Sequence, residues 1–300
     1  MRTIKPVHIL GRFRQLSILA FLSLMLAPAW SDSLDRILAQ GKLVVGVKSD
    51  VPLWGFKNST TGLIQGIEPD LAHDLAKRLG VKVELVGLLT ADRINAVNKK
   101  QVDVLIATLS DTPERRTQLD LVLPHYYASG VNVLSRRSDG FRQWTDLKNR
   151  RVCGRRGAFY NRAITVTYGI DVVRLYGNEL AKAAVRDGRC TAFLYDDTGI
   201  LALLRDPAWR DEFEMPLPTL FTAPWSIALH KDERGGRLEQ AVSQAIISWH
   251  RDGFLQTLEM QWAIPPSVYV SAMHQRWRKT ANGKVQCGEH VTPSTPAECL

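Results

Sequence analysis

Apolar runs of strand length alternate with amphipathic stretches along most of this chain. The runs at 43–48, 81–87 and 102–109 are rich in Val, Leu and Ile, and the stretch 69–80 between the first two has apolar residues at helical spacing. Strands of this kind that alternate with helices are typical of mostly parallel sheets covered on both faces. The pattern therefore predicts an α/β protein.

The same alternation begins again after residue 150, which predicts two similar lobes. We expect a first lobe formed by 33–130 together with 225–264, and a second lobe formed by 131–224. The runs at 131–137 and 225–231 are predicted to cross between the lobes, and one long helix over about 236–262 is predicted to close the first lobe. The cleft between two such lobes, at the carboxyl ends of the strands, is where open α/β sheets bind ligands.

The two ends of the chain do not follow this pattern. Residues 1–31 carry four early basic residues, an apolar run at 16–27 and small residues at Ala27 and Ala29, which is the layout of a secretory signal peptide. The apolar run is short for a membrane span, so a retained anchor is the weaker interpretation. Residues 265–300 are interpreted as a C-terminal extension.

The net charge does not favour nucleic-acid binding, and the cysteines are interpreted as two disulfides. Removal of the signal segment lowers the formal net charge from +9 to about +5, and we see no basic stripe with interleaved aromatic residues that would favour nucleic acid. Export makes disulfides plausible. Of the three possible pairings we prefer the one between sequence neighbours, and we expect no metal site and no cofactor. The cysteines are Cys153, Cys190, Cys287 and Cys299.

The segment 107–116 carries the clearest candidate chemistry. Thr112 is a good helix N-cap and Pro113 suits the first helical position, so free backbone N–H groups would face an anion. Arg115 offers two parallel donors that match a carboxylate, and the Ser110 hydroxyl can contribute. Alone, this segment is equally compatible with a capped helix that carries a solvated arginine.

Five motifs in a fixed order resemble those of a known family. They are GIEPDLAHDLAKRLG at 66–80, LSDTPERRTQLDLVLPHYYASG at 109–130, then RRVCGRRG, GRCTAFLYDD and DGFLQTLEMQW. The chain resembles the periplasmic solute-binding proteins for polar amino acids, the family-3 receptors of ABC importers, from about Gly41 to Trp262. The resemblance implies a type II two-lobed fold, and a monomeric receptor without enzymatic activity that delivers an amino acid to an inner-membrane permease.

The resemblance also implies site residues. Ser110, Thr112 and Arg115 match the positions that hold the ligand α-carboxylate in the family. Asp196 matches the acid that receives the α-ammonium, and Asp197 is the fallback. An N-cap role is the structural alternative for Asp196.

Ligand preference rests on three further positions. Lys48 and Arg93 match cations that approach the distal carboxylate in the aspartate/glutamate-type branch, and Trp54 is a candidate for an aromatic wall. The chain departs from the family pattern at Ala158, where Thr is common, and at Thr108, where Gly is frequent. Arg156 is a candidate to replace the contact that Ala158 removes.

Two alternatives remain open. The same fold serves periplasmic cyclohexadienyl dehydratases, but the sequence shows no nucleophile elbow, HExxH motif or Gly-rich phosphate loop. An accessory or sensory binding protein of the same fold would have the same cleft and a different partner.

Overall fold

The computed structural model describes residues 1, 3, 32–280 and 282–300. Apart from residues 1 and 3, the predicted signal peptide at 1–31 lies outside the described residues and stays a prediction. Within the described part of the chain, no helix is long and apolar enough to cross a membrane.

The first lobe contains, among the described residues, a five-stranded sheet. Its strands are β1 (Lys42–Lys48), β5 (Lys82–Leu88), β6 (Val104–Ile106), β7 (Leu119–Leu121) and β14 (Ala228–His230). Their order is β5-β1-β6-β14-β7, with β1 parallel to β5 and β6, and β14 antiparallel to its neighbours. Because β1, β5 and β6 run in the same direction, the loops at their carboxyl ends meet at one edge of the sheet.

Helices cover this sheet, and a small antiparallel sheet lies beside it. The helices are α1 (Ser33–Gln40), α2 (Ile67–Leu79), α3 (Arg93–Asn98), α4 (Pro113–Gln118), α9 (Arg237–Arg251) and α10 (Phe254–Gln261). The small sheet consists of β2 (Asp50–Val51), β3 (Gly55–Lys57) and β4 (Ile64–Gln65). Helix α2 buries Leu71 and Leu75, four residues apart, against the strands.

The second lobe repeats the arrangement. Its strands are β8 (Tyr127–Arg136), β9 (Arg151–Arg155), β10 (Asp171–Leu175), β11 (Ala192–Asp196), β12 (Phe213–Glu214) and β13 (Leu220–Trp225). Its helices are α5 (Asn161–Tyr168), α6 (Asn178–Arg186), α7 (Asp197–Leu203) and α8 (Pro207–Arg210). The strand order is β10-β9-β11-β8-β12, with β13 also on β8. The predicted α/β architecture with two lobes is therefore present.

A strand that was not predicted leads into the second crossing. Strand β13 pairs antiparallel with β8, whereas β14, inside the predicted crossing 225–231, belongs to the sheet of the first lobe. Strand β13 was not predicted because the proline-rich stretch before Trp225 has the composition of a linker. Pro224 is tolerated because β8 is the only named strand that pairs with β13 within the described residues, and that pairing is irregular between Leu220 and Ala223.

The helix predicted over 236–262 is also divided. Gly253 has a left-handed φ of 72°, which ends α9 and begins α10 at Phe254. Glycine adopts this conformation without the steric penalty that a Cβ brings, so the residue separates the two helices.

Both disulfides join the cysteines that are neighbours in sequence. Cys153 on β9 is bonded to Cys190, just before β11, and Cys287 is bonded to Cys299 in the C-terminal extension. The predicted pairing is confirmed.

The C-terminal extension forms a helix, α11 (Val268–Trp277), that packs on α9. Met273 and Trp277 bury their side chains against Ile247 and the Cys287–Cys299 disulfide. The Tyr269 hydroxyl donates to the carbonyl of His125 just before β8, so the extension is fastened to the start of a crossing strand.

Candidate functional site

The loop between β6 and α4 places Arg115 between the lobes. The Thr112 hydroxyl accepts the Arg115 backbone N–H at 3.3 Å and caps α4, with Pro113 in the first turn, as predicted from the sequence. Arg115 is 5% exposed. Its guanidinium donates to the Ser110 carbonyl at 2.6 Å in its own lobe and to the Gly157 carbonyl at 3.2 Å in the other.

Asp196 lies at the carboxyl end of β11 and pairs with an arginine that the sequence analysis did not identify. Arg155 ends the neighbouring parallel strand β9, so both side chains emerge at the same edge of the sheet. Their guanidinium and carboxylate form a buried salt bridge. The Arg155 guanidinium also lies 3.9 Å from the centre of the Tyr195 ring, a cation–π contact.

Asp196 and Asp197, the two acids at this strand end, have different partners. Asp196 occupies the N-cap position of α7, but among the described residues its carboxylate accepts no capping hydrogen bond. Asp197 bonds instead to the hinge strand β8, where its carboxylate accepts the Ser129 hydroxyl at 2.6 Å and the Gly130 N–H at 3.2 Å.

Thr90 connects three cations at the centre of the cleft. Its hydroxyl accepts from the Lys48 ammonium at 3.2 Å and from the Arg155 guanidinium at 2.9 Å, which joins the lobes. Its carbonyl accepts from the Arg93 Nε at 3.1 Å. The structure therefore brings the two sequence-predicted cations, Lys48 and Arg93, together with Arg155 around one threonine.

Both predicted cations are buried, and their donors go largely to protein oxygens. Lys48 is fully buried and donates to the Leu88 carbonyl at 3.2 Å and to Asp50 at 2.8 Å, in addition to Thr90. The Nη1 of Arg93 donates to the carbonyls of Ala107 and Thr108 at 2.6 and 2.7 Å.

Burial and neighbouring charges set the protonation states of this cluster. Burial lowers the pKa of Lys48 to about 8, an effect that Asp50 partly opposes. Burial alone would raise the pKa of Asp50, but the charges of Lys48 and Arg155 outweigh it and lower that pKa. Lys48 is thus protonated and Asp50 ionised at pH 7.

Glu68 lies beneath the cluster as a second buried acid. Its carboxylate accepts the Thr108 N–H at 2.5 Å and the Tyr126 hydroxyl at 2.9 Å. Burial raises the pKa of Glu68 to about 8 in spite of these bonds, so the group is mostly protonated at pH 7. Thr108 has a left-handed φ of 46°, a conformation that accounts for the glycine frequent at this position in the family that the sequence resembles.

Further contacts hold the lobes together at the rim of the cleft. The Asp50 carboxylate accepts the Asn178 backbone N–H at 3.0 Å, at the first turn of α6 in the other lobe. The Asn178 amide donates to the Asp50 carbonyl at 2.7 Å. A carboxylate at a helix N-terminus is favourable because free N–H groups and the helix dipole both attract it. The lobes are therefore in direct contact, in a closed arrangement.

Trp54 belongs to an aromatic cluster where the first lobe meets the crossing strands. Its fully buried ring lies 4.5 Å from Tyr127 and 4.7 Å from Trp225, both centre to centre. Trp225 forms an isolated β-bridge with Ser110, which places the cluster next to the Arg115 loop.

Two cavities lie near the cleft, and they differ in chemistry. A cavity of about 560 Å³ at the mouth includes Arg115, Ala158 and Arg156. A larger, mainly apolar cavity of about 660 Å³ lies at the hinge, beside Tyr127 and Asp197, away from the cation cluster. Within the described residues, there is no group of three or more His, Cys, Asp or Glu residues able to hold a metal ion.

Sequence reasoning missed Arg155, Asp50, Thr90 and Glu68. Arg155 could have been found, because it directly follows the strand predicted over 150–154, and residues at the carboxyl ends of neighbouring parallel strands meet at the same sheet edge. Thr90 had no signal of its own, since its role depends on three cations from distant parts of the chain.

Comparison with known proteins assigns the family. The model of bacterial extracellular solute-binding proteins, family 3, matches residues 43–265. The chain belongs to this family. The resemblance seen in the sequence is confirmed at this level.

Curated relatives in the family carry the names of amino-acid-binding proteins. The L-cystine-binding protein TcyJ of Escherichia coli K12 is 28% identical over 233 residues, which cover 76% of this chain and 85% of that protein. A glutamine-binding protein of Geobacillus stearothermophilus is 34% identical over 123 residues, 40% of this chain and about half (47%) of that protein. The aspartate/glutamate-type branch is not confirmed by these relatives.

Solved structures give the same fold. The cysteine-binding protein of Campylobacter jejuni has a TM-score of 0.71 and 26% identity, covering 77% of this chain and 92% of that one. The ancestral amino-acid-binding protein AncCDT-1, a precursor of cyclohexadienyl dehydratase, has a TM-score of 0.68 and 26% identity, covering 77% and 99%. The predicted two-lobed type II fold is confirmed.

Proposed function

We propose that this chain is a periplasmic receptor that binds a small amino acid between its lobes and delivers it to an ABC permease by cleft closure. The observation that carries the proposal is that Arg115 of the first lobe and Asp196 of the second are both buried, and that the charge of Asp196 partly opposes the effect of burial on the pKa of Arg115. Opposed charges on opposite lobes suit a zwitterion, since each end of the ligand meets its complement. The amino-acid names of the relatives support the same ligand class.

In this proposal the α-carboxylate lies against Arg115, with the Ser110 hydroxyl and the first turn of α4 at Thr112 as further donors. Asp196 receives the α-ammonium on closure, and Trp54 supports this region through the aromatic cluster. Binding energy then shifts an open–closed equilibrium towards the closed form that a permease recognises. The receptor acts as a monomer.

An acidic side chain on the ligand is favoured by charge. Lys48 and Arg93 lie within the same cluster as Arg115 and Arg155. Besides burial, the charges of Arg155 and Arg93 lower the pKa of Lys48, and those of Arg115 and Arg155 lower the pKa of Arg93. Burial of unpaired cations is costly, so a ligand that brings a second carboxylate would stabilise the cleft.

The test is a thermal-shift screen of the purified protein against the common amino acids, followed by isothermal titration of the best ligands. A ligand at a hundredfold excess over its dissociation constant stabilises the folded state by about 2.7 kcal/mol. Arg115→Ala should weaken binding at least a hundredfold. The matched control is Arg116→Ala, which removes the neighbouring, half-exposed arginine of α4 and should leave affinity unchanged. A flat screen would refute the proposal.

The dehydratase alternative has a direct assay. Incubation of the protein with prephenate or arogenate, followed by absorbance of the aromatic product, should show no turnover, because the cleft residues are assigned to binding alone. Product formation that depends on residues of the cleft would replace the receptor proposal by an enzymatic one.

A further inference from the structure

The acid assigned to the ligand ammonium already has a cationic partner within its own lobe. Asp196 and Arg155 form a salt bridge in which the side chains are 11% and 3% exposed. Arg155 is held in turn by the Thr90 hydroxyl and by the Tyr195 ring. The negative charge of Asp196 is therefore balanced before any ligand enters.

A second internal pair involves Lys48. Its ammonium has three protons, and the structure directs them to Asp50, the Leu88 carbonyl and the Thr90 hydroxyl. Asp50 is ionised, because its pKa is lowered by the nearby cations although burial opposes this. Lys48 and Asp50 thus also balance each other.

Arg93 and Arg115 remain without such a partner. Among the described residues, neither guanidinium forms a salt bridge, and both donate to backbone carbonyls. Asp196 is the acid whose charge acts most on both arginines, but its carboxylate is already paired with Arg155. Glu68 also acts on Arg93, and burial raises its pKa to about 8, so it is mostly protonated at pH 7. Asp197 forms no salt bridge with either arginine, and its carboxylate lies against the hinge strand, where it accepts the Ser129 hydroxyl and the Gly130 N–H. The closed cleft therefore holds a surplus of two positive charges.

This surplus discriminates between ligand classes. A neutral amino acid would leave both charges uncompensated, and an acidic amino acid, with a net charge of −1, would leave one. A dicarboxylate without an amino group would compensate both. Removal of the ammonium would ordinarily leave a buried carboxylate unpaired, but here Arg155 remains beside Asp196.

We infer that the cleft binds compact four- and five-carbon dicarboxylates whether or not they carry an α-amino group, and that the Arg155–Asp196 pair is what removes the requirement for the ammonium. The inference rests on the proposed function for the location of the site, and extends it to a second class of ligand. Arg115 takes one carboxylate, and the Arg93 side of the cluster takes the other.

Two matched ligand pairs test this by isothermal titration at pH 7: L-aspartate with succinate, and L-glutamate with glutarate. The expected result is that, in at least one pair, the ligand without the amino group binds within tenfold of its amino acid. If both are more than tenfold weaker, the inference is overturned. If neutral amino acids bind better than any dicarboxylate, the inference fails and the proposed receptor function stands. If succinate or glutarate binds and no amino acid does, the amino-acid proposal fails, and the inference fails with it.

The Arg155→Gln variant tests whether the Arg155–Asp196 pair is what removes the requirement for the ligand ammonium. Loss of the cation frees Asp196, so the preference for the amino acid over its partner without the amino group should rise at least tenfold. A purely structural role would weaken both ligands alike and leave that ratio unchanged, which would overturn the inference. Arg151→Gln at the exposed start of the same strand is the matched control and should not change the ratio. If Arg155→Gln does not fold, as judged by circular dichroism, Asp196→Asn replaces it. Succinate should then bind at least as tightly as to the wild type, and a loss of more than tenfold would contradict the inference.

Discussion

Removal of Arg155 should destabilise the second lobe through the charge that it leaves behind. In Arg155→Met the side-chain volume is largely kept, while Asp196 loses its salt-bridge partner in a buried position. Removal of one member of a buried ion pair typically costs about 3–5 kcal/mol, because the other charge stays buried without compensation. For a chain of this size that corresponds to a fall in Tm of roughly 6–20 °C.

The size of this loss can be separated from lost packing by a double-mutant cycle. Arg155→Met combined with Asp196→Asn removes both charges, so only the cation–π contact with Tyr195 and the hydrogen bond to Thr90 are lost. These are worth about 1–2 kcal/mol together. The double variant should therefore be more stable than Arg155→Met alone by about 2–3 kcal/mol, and the costs of the two single substitutions should not add.

Urea unfolding of the ligand-free protein, followed by far-UV circular dichroism and tryptophan fluorescence, measures all three variants and the wild type. Arg151→Met, at the exposed start of β9, is the control for the substitution itself and should change stability by less than about 0.5 kcal/mol. If Arg155→Met costs less than about 1 kcal/mol, or if the two substitutions are simply additive, Asp196 does not depend on Arg155 and the reasoning is refuted.

Three further predictions follow. Acid should destabilise the protein between pH 6.5 and 4, because burial lowers the pKa of His250 to about 4 while the unfolded chain takes up the proton near 6.5. The free energy of unfolding should fall by roughly 3 kcal/mol at pH 4. Urea unfolding of His250→Gln should show a smaller fall over the same pH range. The affinity for acidic ligands should fall above pH 8, because Lys48 loses its positive charge and Glu68 gains a negative charge. Equal affinities at pH 7 and pH 9, measured by isothermal titration, would contradict this prediction. Asp50→Ala, which removes the carboxylate at the start of α6, should weaken ligand binding about tenfold by disfavouring closure. Asp187→Ala, at the exposed end of the same helix, is the control and should not weaken binding. Small-angle scattering should show a more open Asp50→Ala protein, and an unchanged profile would contradict the role in closure.

The sequence predicted the strands and helices of both sheets because burial determines their pattern. The run that forms β11 is buried throughout and carries no charged residue before Asp196, since helices cover both faces of the sheet. The crossing strand β13 was missed because Pro224 and its neighbours have the composition of a loop, and only pairing with β8 makes the segment a strand. Gly253, which divides the long helix, was present in the sequence but not recognised as a helix end.

The sequence predicted the residues of the candidate site that belong to local motifs, but not the residues that connect them across the cleft. Arg115 and Thr112 belong to a local motif in which capping and anion binding follow from residue order, and the structure shows the cap. The partners of Lys48 and Asp196 are set by tertiary contacts, which no spacing reveals. Two further features follow from burial and could not be read from the sequence. Most donors of Arg93 and Lys48 bond to protein oxygens, and the pKa of Glu68 is raised.

The central claim is that the cleft around Arg115 binds a small acidic amino acid. Isothermal titration of the wild type and of Arg115→Ala with L-glutamate and L-aspartate, and with their amides, tests it most directly. We expect at least one acidic amino acid to bind near micromolar, a free energy of about −8 kcal/mol, its amide to bind at least tenfold more weakly, and Arg115→Ala to bind neither. Amides that bind as tightly as the acids would contradict the acidic preference, and unchanged binding in Arg115→Ala would place the ligand elsewhere.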